Sequence, residues 1–208
     1  MTKVLDEWKK VTLQNYNIYA KDFDTFATTY RGKLKNWVED FANQFKKGAR
    51  ILDVGCGSGR DALFLSQKGL TITGIDFSKE LIQIAREKVP QATFLVMDFE
   101  KLTFSNNSFD GIWANASLLH MPRKKLLPVL KKLYKILVAG GYVFMQFRVG
   151  EGEKFTLERR GNAMLKRFYA YYSCDELKNM LKQAGFRKLQ YELDTIISGD
   201  WVGLFAEK

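Results

Sequence analysis

Three glycines at alternate positions, Gly55, Gly57 and Gly59, follow directly after a short apolar run. Glycine lets the backbone turn sharply and approach a ligand closely. The helix expected next would offer free N–H groups to an anionic group. A dinucleotide fingerprint spaces its glycines G-x-G-x-x-G, whereas here the third glycine comes one position early and Arg60 stands in its place. The spacing suits a ligand whose amino-acid end, rather than a pyrophosphate, lies at the loop. The alternative is a tight turn without a ligand.

Two acidic residues flank this loop in the predicted arrangement. Asp53 precedes it, where a carboxylate could meet an ammonium group. Asp76 lies 17 residues after Gly59, at the end of the second predicted strand. An acid there can accept hydrogen bonds from both hydroxyls of an adenosine ribose. The alternative role for Asp76 is a helix N-cap, which Ser78 already provides.

A third acid, Asp98, follows the third predicted strand. Its carboxylate could accept the amino group of adenine, with Met97 and Phe99 packing on the ring. A plain loop acid is the alternative interpretation.

Later side chains could contact an acceptor. His120 follows the fourth predicted strand and is a candidate general base; capping a helix or lining an adenosine pocket are its alternatives. Arg148 could hold an acidic substrate, although a surface arginine is the favoured interpretation. Three tyrosines could form the wall of an acceptor pocket or cover the sheet edge: Tyr169, Tyr171 and Tyr172.

These residues depend on helices and strands that alternate along the chain. Hydrophobic periodicity predicts helices over residues 33–45, 61–68, 78–88, 124–137 and 173–184. Short apolar runs predict strands over residues 51–54, 71–75, 92–96, 109–113, 142–147, 187–193 and 201–206. Gly140 and Gly141 are expected to end the fourth helix, and residues 148–172 to be less regular.

The alternation predicts an α/β fold with a parallel sheet covered on both faces. Only residues 194–200 separate the last two strands, which is too short for a crossover helix, so one strand should be antiparallel. In doubly wound sheets, ligands bind beyond the carboxyl ends of the strands. The glycine loop, Asp76, Asp98 and His120 all fall at that edge.

Composition narrows the class of protein. The chain has 208 residues, 46% hydrophobic and 27% charged, which fits one structural unit of ordinary globular composition. No apolar run approaches the ~18 residues of a membrane span, and residues 1–7 lack the apolar core of a signal peptide. We therefore expect a cytoplasmic protein that does not associate with a membrane. Cys56, Cys174 and the single histidine form neither a disulfide framework nor a structural metal site.

The net charge of +10 is unevenly distributed, because residues 123–188 hold 16 Lys/Arg against 5 Asp/Glu. One interpretation is an electrostatic surface for RNA or an acidic metabolite. A solvated lysine-rich face is favoured, because the basic residues are scattered along helices.

Over roughly residues 20–208, the order and spacing of these segments resemble the class I S-adenosylmethionine-dependent methyltransferases. A closer resemblance, to the small bacterial tellurite-resistance-like methyltransferases, rests on residues 109–122, 150–153, 168–173 and the strand at Trp201. The resemblance implies a doubly wound, mostly parallel seven-stranded sheet in the order 3-2-1-4-5-7-6, with strand 7 antiparallel. It also implies a helical lid at residues 1–48, a Rossmann-like domain at 49–208, and S-adenosylmethionine as cofactor, with S-adenosylhomocysteine as product.

The resulting candidate site has His120 as its catalytic residue and no metal. The candidate cofactor-binding residues are Tyr19, Tyr30, Asp53, Gly55, Cys56, Gly57, Arg60, Asp61, Asp76, Phe77, Ser78, Met97, Asp98, Phe99, Asn115 and Ala116.

One feature departs from the family pattern. Many relatives carry Tyr-Asp-x-x-Ala-x-x-Tyr in the lid, but residues 23–30 here begin with Phe23. A hydroxyl contact is lost at that position, and Tyr19 or Tyr30 could replace it.

Three function classes remain open. A methyltransferase acting on a small-molecule acceptor is preferred, because the chain leaves little room for an added recognition domain. An RNA or protein methyltransferase is supported by the basic second half of the chain. Against one version of it, residues 115–118 lack the prolines of the Asp-Pro-Pro-Tyr motif, which is found in methyltransferases acting on exocyclic amines of nucleic acids. The third class is a cofactor-binding partner subunit without catalysis. A monomer and a homodimer are both compatible with the sequence.

Overall fold

A computed structural model describes residues 6–27, 29–30, 32–160, 162–196 and 199–208. Residues 1–5, which carry most of the expectation about targeting signals, lie outside these ranges, as does Thr28 of the lid pattern. The helices are α1 (Glu7–Ile18), α2 (Ala20–Ala27), α3 (Leu34–Ala42), α4 (Arg60–Gln67), α5 (Lys79–Lys88), α6 (Arg123–Ile136) and α7 (Cys174–Ala184). Within the described ranges, no helix is long and apolar enough to cross a membrane.

The strands are β1 (Arg50–Val54), β2 (Thr71–Asp76), β3 (Thr93–Val96), β4 (Phe109–Ala114), β5 (Leu137–Val149), β6 (Glu153–Arg160), β7 (Ala163–Tyr172), β8 (Arg187–Ile196) and β9 (Gly199–Glu207). Strands β1 to β5 pair in parallel, with β1 between β2 and β4. Strand β9 runs antiparallel to both β5 and β8. The predicted α/β class with a mostly parallel sheet is confirmed, and the seven strands expected from the sequence pair as β3-β2-β1-β4-β5-β9-β8.

The expected count of seven strands was wrong, because residues 148–172 contain a β-hairpin. Strands β6 and β7 pair antiparallel, and β7 joins the sheet beside the end of β5 at Arg148 and Val149. Over the part of the chain that the structure describes, the sheet has nine strands, so its order differs from the expected one. Buried and exposed residues alternate at the start of β7, but Arg167 occupies an inward position, so the apolar alternation typical of a strand is hidden.

The end of α6 also differs from the expectation. The helix ends at Ile136, and Gly140 and Gly141 lie within β5 rather than at a helix terminus. Other helix ends follow the sequence signals. The Ser78 hydroxyl accepts a hydrogen bond from the Leu81 N–H at the start of α5, and a capping box opens α7 before Gly185 closes it.

Helices cover both faces of the sheet, as the alternation predicts. On one face, α6 and α7 bury leucines against the sheet. On the other, α3, α4 and α5 pack over an aromatic cluster in which Trp113 stacks on Phe144 with centroids 4.1 Å apart. Trp37 of α3 lies 5.7 Å from Phe144. Gly203 of β9 leaves room for that indole, because a Cβ there would lie 2.9 Å from Trp37.

Candidate active site

A cavity lies at the carboxyl ends of the central strands, where the topology predicts a ligand. It is lined by most of the residues expected from the sequence: Asp53, Gly55, Cys56, Gly57, Arg60, Asp61, Asp76, Phe77, Phe99, Asn115, Ala116 and His120. It is also lined by residues that sequence reasoning missed, among them Tyr16, Phe23, Gln146, Arg167, Asp194 and Trp201.

The glycine loop between β1 and α4, which we call the glycine cradle, brings its backbone to the cavity wall. Gly55 and Gly57 have φ angles of 73° and 54°, which favour glycine. A Cβ at Gly55 would lie 2.3 Å from the Cβ of Ser117, and one at Gly57 would lie 3.3 Å from the ring of Phe23. Backbone and neighbouring elements therefore approach each other here more closely than any other residue would allow. Burial raises the pKa of the Cys56 thiol, so this side chain stays neutral at the cavity wall.

Asp53 presents a carboxylate oxygen without a partner. The residue is buried, and its Oδ2 atom has no hydrogen-bond partner among the described residues. Burial raises the pKa of Asp53 well above its ordinary value, and the nearby charge of Asp61 adds to the shift. A buried acceptor is costly when unsatisfied. A ligand ammonium group at this position would remove that cost.

Asp76 is held in place by the backbone. Its Oδ1 accepts from the Ser78 N–H at 2.8 Å and its Oδ2 from the Gly57 N–H at 3.1 Å. Burial raises the pKa of Asp76 to about 6, although these N–H groups oppose the shift. The carboxylate is thus fixed at the cavity wall, with acceptor capacity remaining for ligand hydroxyls.

Asp61 connects the start of α4 to the end of β4. It accepts from Arg60 at 2.7 and 3.0 Å, from Trp113 Nε1 at 2.9 Å and from Asn115 Nδ2 at 2.8 Å. Burial works against ionisation, but Arg60 and the other donors hold the pKa of Asp61 below its ordinary value. Because its oxygens are already engaged, Asp61 positions Arg60 and Asn115.

Five of the expected cofactor residues do not line the cavity: Tyr19, Tyr30, Ser78, Met97 and Asp98. The Asp98 carboxylate accepts from Lys9 Nζ of α1 at 2.5 Å and from the Glu100 N–H at 2.9 Å. Ser78 caps α5 and donates to Asn17 Oδ1 at 2.7 Å. Their direct cofactor contacts stay predictions. Of the three residues expected to contact the adenine ring, Met97, Asp98 and Phe99, the last lines the cavity.

A second group of lining residues, which we call the acceptor side, consists of Tyr16, His120, Arg167 and Tyr169. The Nδ1 atom of His120 lies 2.7 Å from the Phe168 carbonyl oxygen, and Nε2 lies 3.0 Å from the Tyr16 hydroxyl. Arg167 Nη1 donates to that same hydroxyl at 2.8 Å. His120 is therefore a member of a hydrogen-bonded group contributed by α1 and β7.

Arg148, Glu158 and Arg167 form a buried ion cluster, which also contacts Tyr169 of the acceptor side. Glu158 accepts from Arg148 Nη1 at 2.9 Å, from Arg167 Nη2 at 2.6 Å and from the Tyr169 hydroxyl at 2.9 Å. The arginine side chains are 9% and 4% exposed. The expectation of a surface position for Arg148 was wrong, because this arginine pairs with the hairpin that the sequence did not predict. Within the cluster, two guanidinium groups share one carboxylate.

Comparison with known proteins identifies the family. Residues 51–141 match the Methyltransferase domain family Methyltransf_25. The chain is 31% identical over 159 residues to O-methyltransferase rstn1 of Aspergillus nomiae, covering 70% of this chain and 67% of that protein. It is 30% identical over 140 residues to methyltransferase GfsG of Streptomyces halstedii, covering 64% of this chain but 49% of that protein. The chain thus spans half to two thirds of the length of these relatives.

Solved structures show the same fold. Phosphoethanolamine N-methyltransferase 2 of Haemonchus contortus superposes with a TM-score of 0.77 at 18% identity, covering 98% of this chain and 61% of that one. The 1,6-didemethyltoxoflavin-N1-methyltransferase of Burkholderia thailandensis superposes with a TM-score of 0.74 at 17% identity, covering 100% and 92%.

Fold and site together define a Rossmann-like, nucleoside-binding α/β protein. Within that class, the chain belongs to the class I S-adenosylmethionine-dependent methyltransferases. S-adenosylmethionine is the cofactor of this family, and the cavity fits it: Asp53 has an oxygen without a partner, Gly55 and Gly57 have no side chains that would fill the space at the loop, and Asp76 keeps acceptor capacity. The closer resemblance to the tellurite-resistance-like group is not confirmed and stays a prediction.

Proposed function

We propose that the protein transfers the methyl group of S-adenosylmethionine to a small-molecule acceptor bound at the acceptor side. The observation that carries this proposal is that two groups of residues line one cavity. One group comprises the glycine loop, Asp53 and Asp76, and the other comprises buried polar side chains of α1 and β7. A transferase needs two adjoining sites of this kind, because donor and acceptor must be held in line.

The cofactor supplies a methyl group already activated on a sulfonium, so the chain mainly has to bind, orient and exclude water. Asp53 would hold the ammonium group, Asp76 the ribose hydroxyls, and Phe99 the adenine ring. Tyr16 and Phe23 line the cavity from α1 and α2. This supports a lid role for the N-terminal helices, whereas α3 packs into the core.

A small acceptor is favoured over RNA or a protein because the acceptor side is enclosed by buried side chains. Part of the basic surplus of residues 123–188 is also internal, since Arg148 and Arg167 are buried and paired. One matched protein is named as an O-methyltransferase and another as an N1-methyltransferase of 1,6-didemethyltoxoflavin, and the small acceptor of the second agrees with this choice. A cytoplasmic location and a monomeric or homodimeric state stay predictions.

Calorimetry tests the proposal directly. We expect S-adenosylhomocysteine and S-adenosylmethionine to bind, and NAD not to bind. Asp76→Asn should weaken adenosyl binding by about 10- to 100-fold, because a hydrogen bond to a charged group is worth about 1.5–3 kcal/mol. Asp110→Asn is the matched control, since Asp110 pairs with Arg50 away from the cavity. Binding of NAD alone, or equal affinity in all three proteins, would refute the assignment.

A further inference from the structure

The hydrogen-bond partners of His120 fix which of its nitrogens carries the proton. The Phe168 carbonyl oxygen, 2.7 Å from Nδ1, can only accept, so Nδ1 must donate to it. In the neutral ring, Nε2 is then the basic nitrogen. Its neighbour at 3.0 Å is the Tyr16 hydroxyl, which therefore donates its proton to Nε2. Both ring nitrogens are engaged, so the histidine itself is not presented to an acceptor.

Tyr16 lines the cavity in which an acceptor would bind, and its ring lies with its centroid 6.3 Å from that of Phe77, which follows Asp76. With one hydrogen bond donated to His120, the hydroxyl oxygen can still accept from two donors. Arg167 Nη1 donates to the same oxygen at 2.8 Å. A guanidinium at that distance stabilises negative charge developing on the oxygen. The phenol thus lies between a base that can take its proton and a cation that favours its loss.

We propose that Tyr16 is the catalytic residue that accepts the proton of the methyl acceptor, while passing its own hydroxyl proton to His120. The substrate class follows from this assignment: the acceptor atom is a hydroxyl oxygen or an amine nitrogen that must lose a proton during transfer. The inference rests on the proposed methyltransferase function and deepens it.

The proton and electron balance is complete without a further reactant. A lone pair of the acceptor atom forms the new bond to the methyl carbon, and the carbon–sulfur bond breaks with its electrons going to sulfur. The acceptor proton moves to the Tyr16 oxygen as the Tyr16 proton moves to Nε2 of His120. The products are the methylated acceptor, S-adenosylhomocysteine and an imidazolium at His120, which later releases its proton to water.

A purely structural role for Tyr16 makes a different prediction. The same hydrogen bonds could serve only to attach α1 to β7. Thr12 provides a matched control, because its buried hydroxyl accepts from the Phe168 N–H at 3.1 Å and attaches the same helix to the same strand. Thr12→Val removes that attachment and leaves Tyr16, His120 and Arg167 in place.

His120 is the only histidine of the chain, so ¹⁵N-histidine labelling gives one pair of ring nitrogen signals that need no assignment. In the complex with S-adenosylhomocysteine at neutral pH, we expect a protonated Nδ1 and an unprotonated Nε2. Tyr16→Phe should shift the Nε2 signal, and Thr12→Val should leave it unchanged. The opposite tautomer, or an Nε2 signal insensitive to Tyr16→Phe, would overturn the relay.

Turnover gives the second readout, with release of S-adenosylhomocysteine measured over a panel of phenols, hydroxy acids, amines and thiols. We expect hydroxyl or amine acceptors to react, and Tyr16→Phe to lower kcat by about 100-fold with KM for S-adenosylmethionine nearly unchanged. Thr12→Val should retain kcat.

The two levels of proposal fail separately. Undiminished kcat in Tyr16→Phe would refute the relay, and turnover confined to thiols would refute the substrate class, while the methyltransferase assignment stands in both cases. Absence of adenosyl binding in the wild-type protein would refute the proposed function itself.

Discussion

The carboxyl group of Asp76 is buried, and its pKa lies at about 6 rather than at the usual 3.8. Ribose hydroxyls need the ionised form as acceptor, so protonation should weaken cofactor binding. We expect the affinity for S-adenosylhomocysteine to fall as the pH decreases through about 6, and the raised pKa of Asp53 acts in the same direction. Calorimetry over a pH series tests this. An affinity that does not change across that range would contradict the role of both acids.

The same shift has a consequence for stability. A carboxyl whose pKa is raised in the folded protein favours folding in its protonated form, so the ligand-free protein should lose stability as the pH rises from 3.8 to about 6. Asp76→Asn does not titrate, so the loss of stability between pH 4 and pH 7 should be smaller in this variant than in the parent by about 1–3 kcal/mol. The amide NH2 cannot accept from one of the two N–H groups that hold Asp76, so each protein is compared with itself at the two pH values. Urea unfolding of both proteins at pH 4 and pH 7 measures the difference. An equal pH dependence in the two proteins would disprove it.

At the scale of single residues, the sequence predicts part of the candidate site. The glycine loop, Asp53, Asp76 and His120 were found by their spacing, because strand ends bring them to one edge. Tyr16 and Arg167 were missed, because 151 positions separate them and only tertiary structure joins them. Asp98 follows β3 as predicted, but its carboxylate forms an ion pair with Lys9 of α1. No local pattern in the sequence indicates that pairing.

The β6–β7 hairpin is the element that sequence patterns did not reveal. Its inward positions carry Glu158, Arg167 and Tyr169 rather than an apolar stripe. The strands β1 to β4 were predicted well, since buried parallel strands read as apolar runs ending in glycines or acids. A hairpin that buries an ion cluster has neither an apolar run nor a glycine or acid that marks the end of a strand.

The cluster in this hairpin should be costly to disrupt. Glu158→Gln leaves Arg148 and Arg167 buried without a counter-charge, so we expect a loss of about 3–5 kcal/mol in the free energy of unfolding. Lys188→Gln removes a surface pair with Glu207 in which the lysine side chain is 74% exposed, and it should change stability by less than about 1 kcal/mol. Urea unfolding of the two variants against the parent decides it. Equal effects would mean that the buried cluster adds nothing beyond a surface pair.

Over the whole molecule, the cofactor cavity connects the central strands, α4 and the N-terminal helices. A ligand that binds the folded state alone stabilises it by about 2.7 kcal/mol at 100 times its Kd. For a chain of this size, we expect S-adenosylhomocysteine to raise Tm by about 5–10 °C. Differential scanning calorimetry measures the shift. Asp76→Asn should reduce it and Asp110→Asn should not, and an unchanged Tm with saturating ligand would contradict the cavity assignment.

The docking of α1 on β7 also orders events during folding. Thr12, Asn15 and Tyr16 hydrogen-bond to Phe168, Lys166 and Arg167, partners about 150 positions later in the chain. Contacts at such separation form late, because closing a long loop costs entropy before the contact repays it. Helix α1 precedes the β6–β7 hairpin in the chain, so during synthesis it must wait for its partner strand. The central sheet can assemble in the meantime, and the acceptor side is completed last.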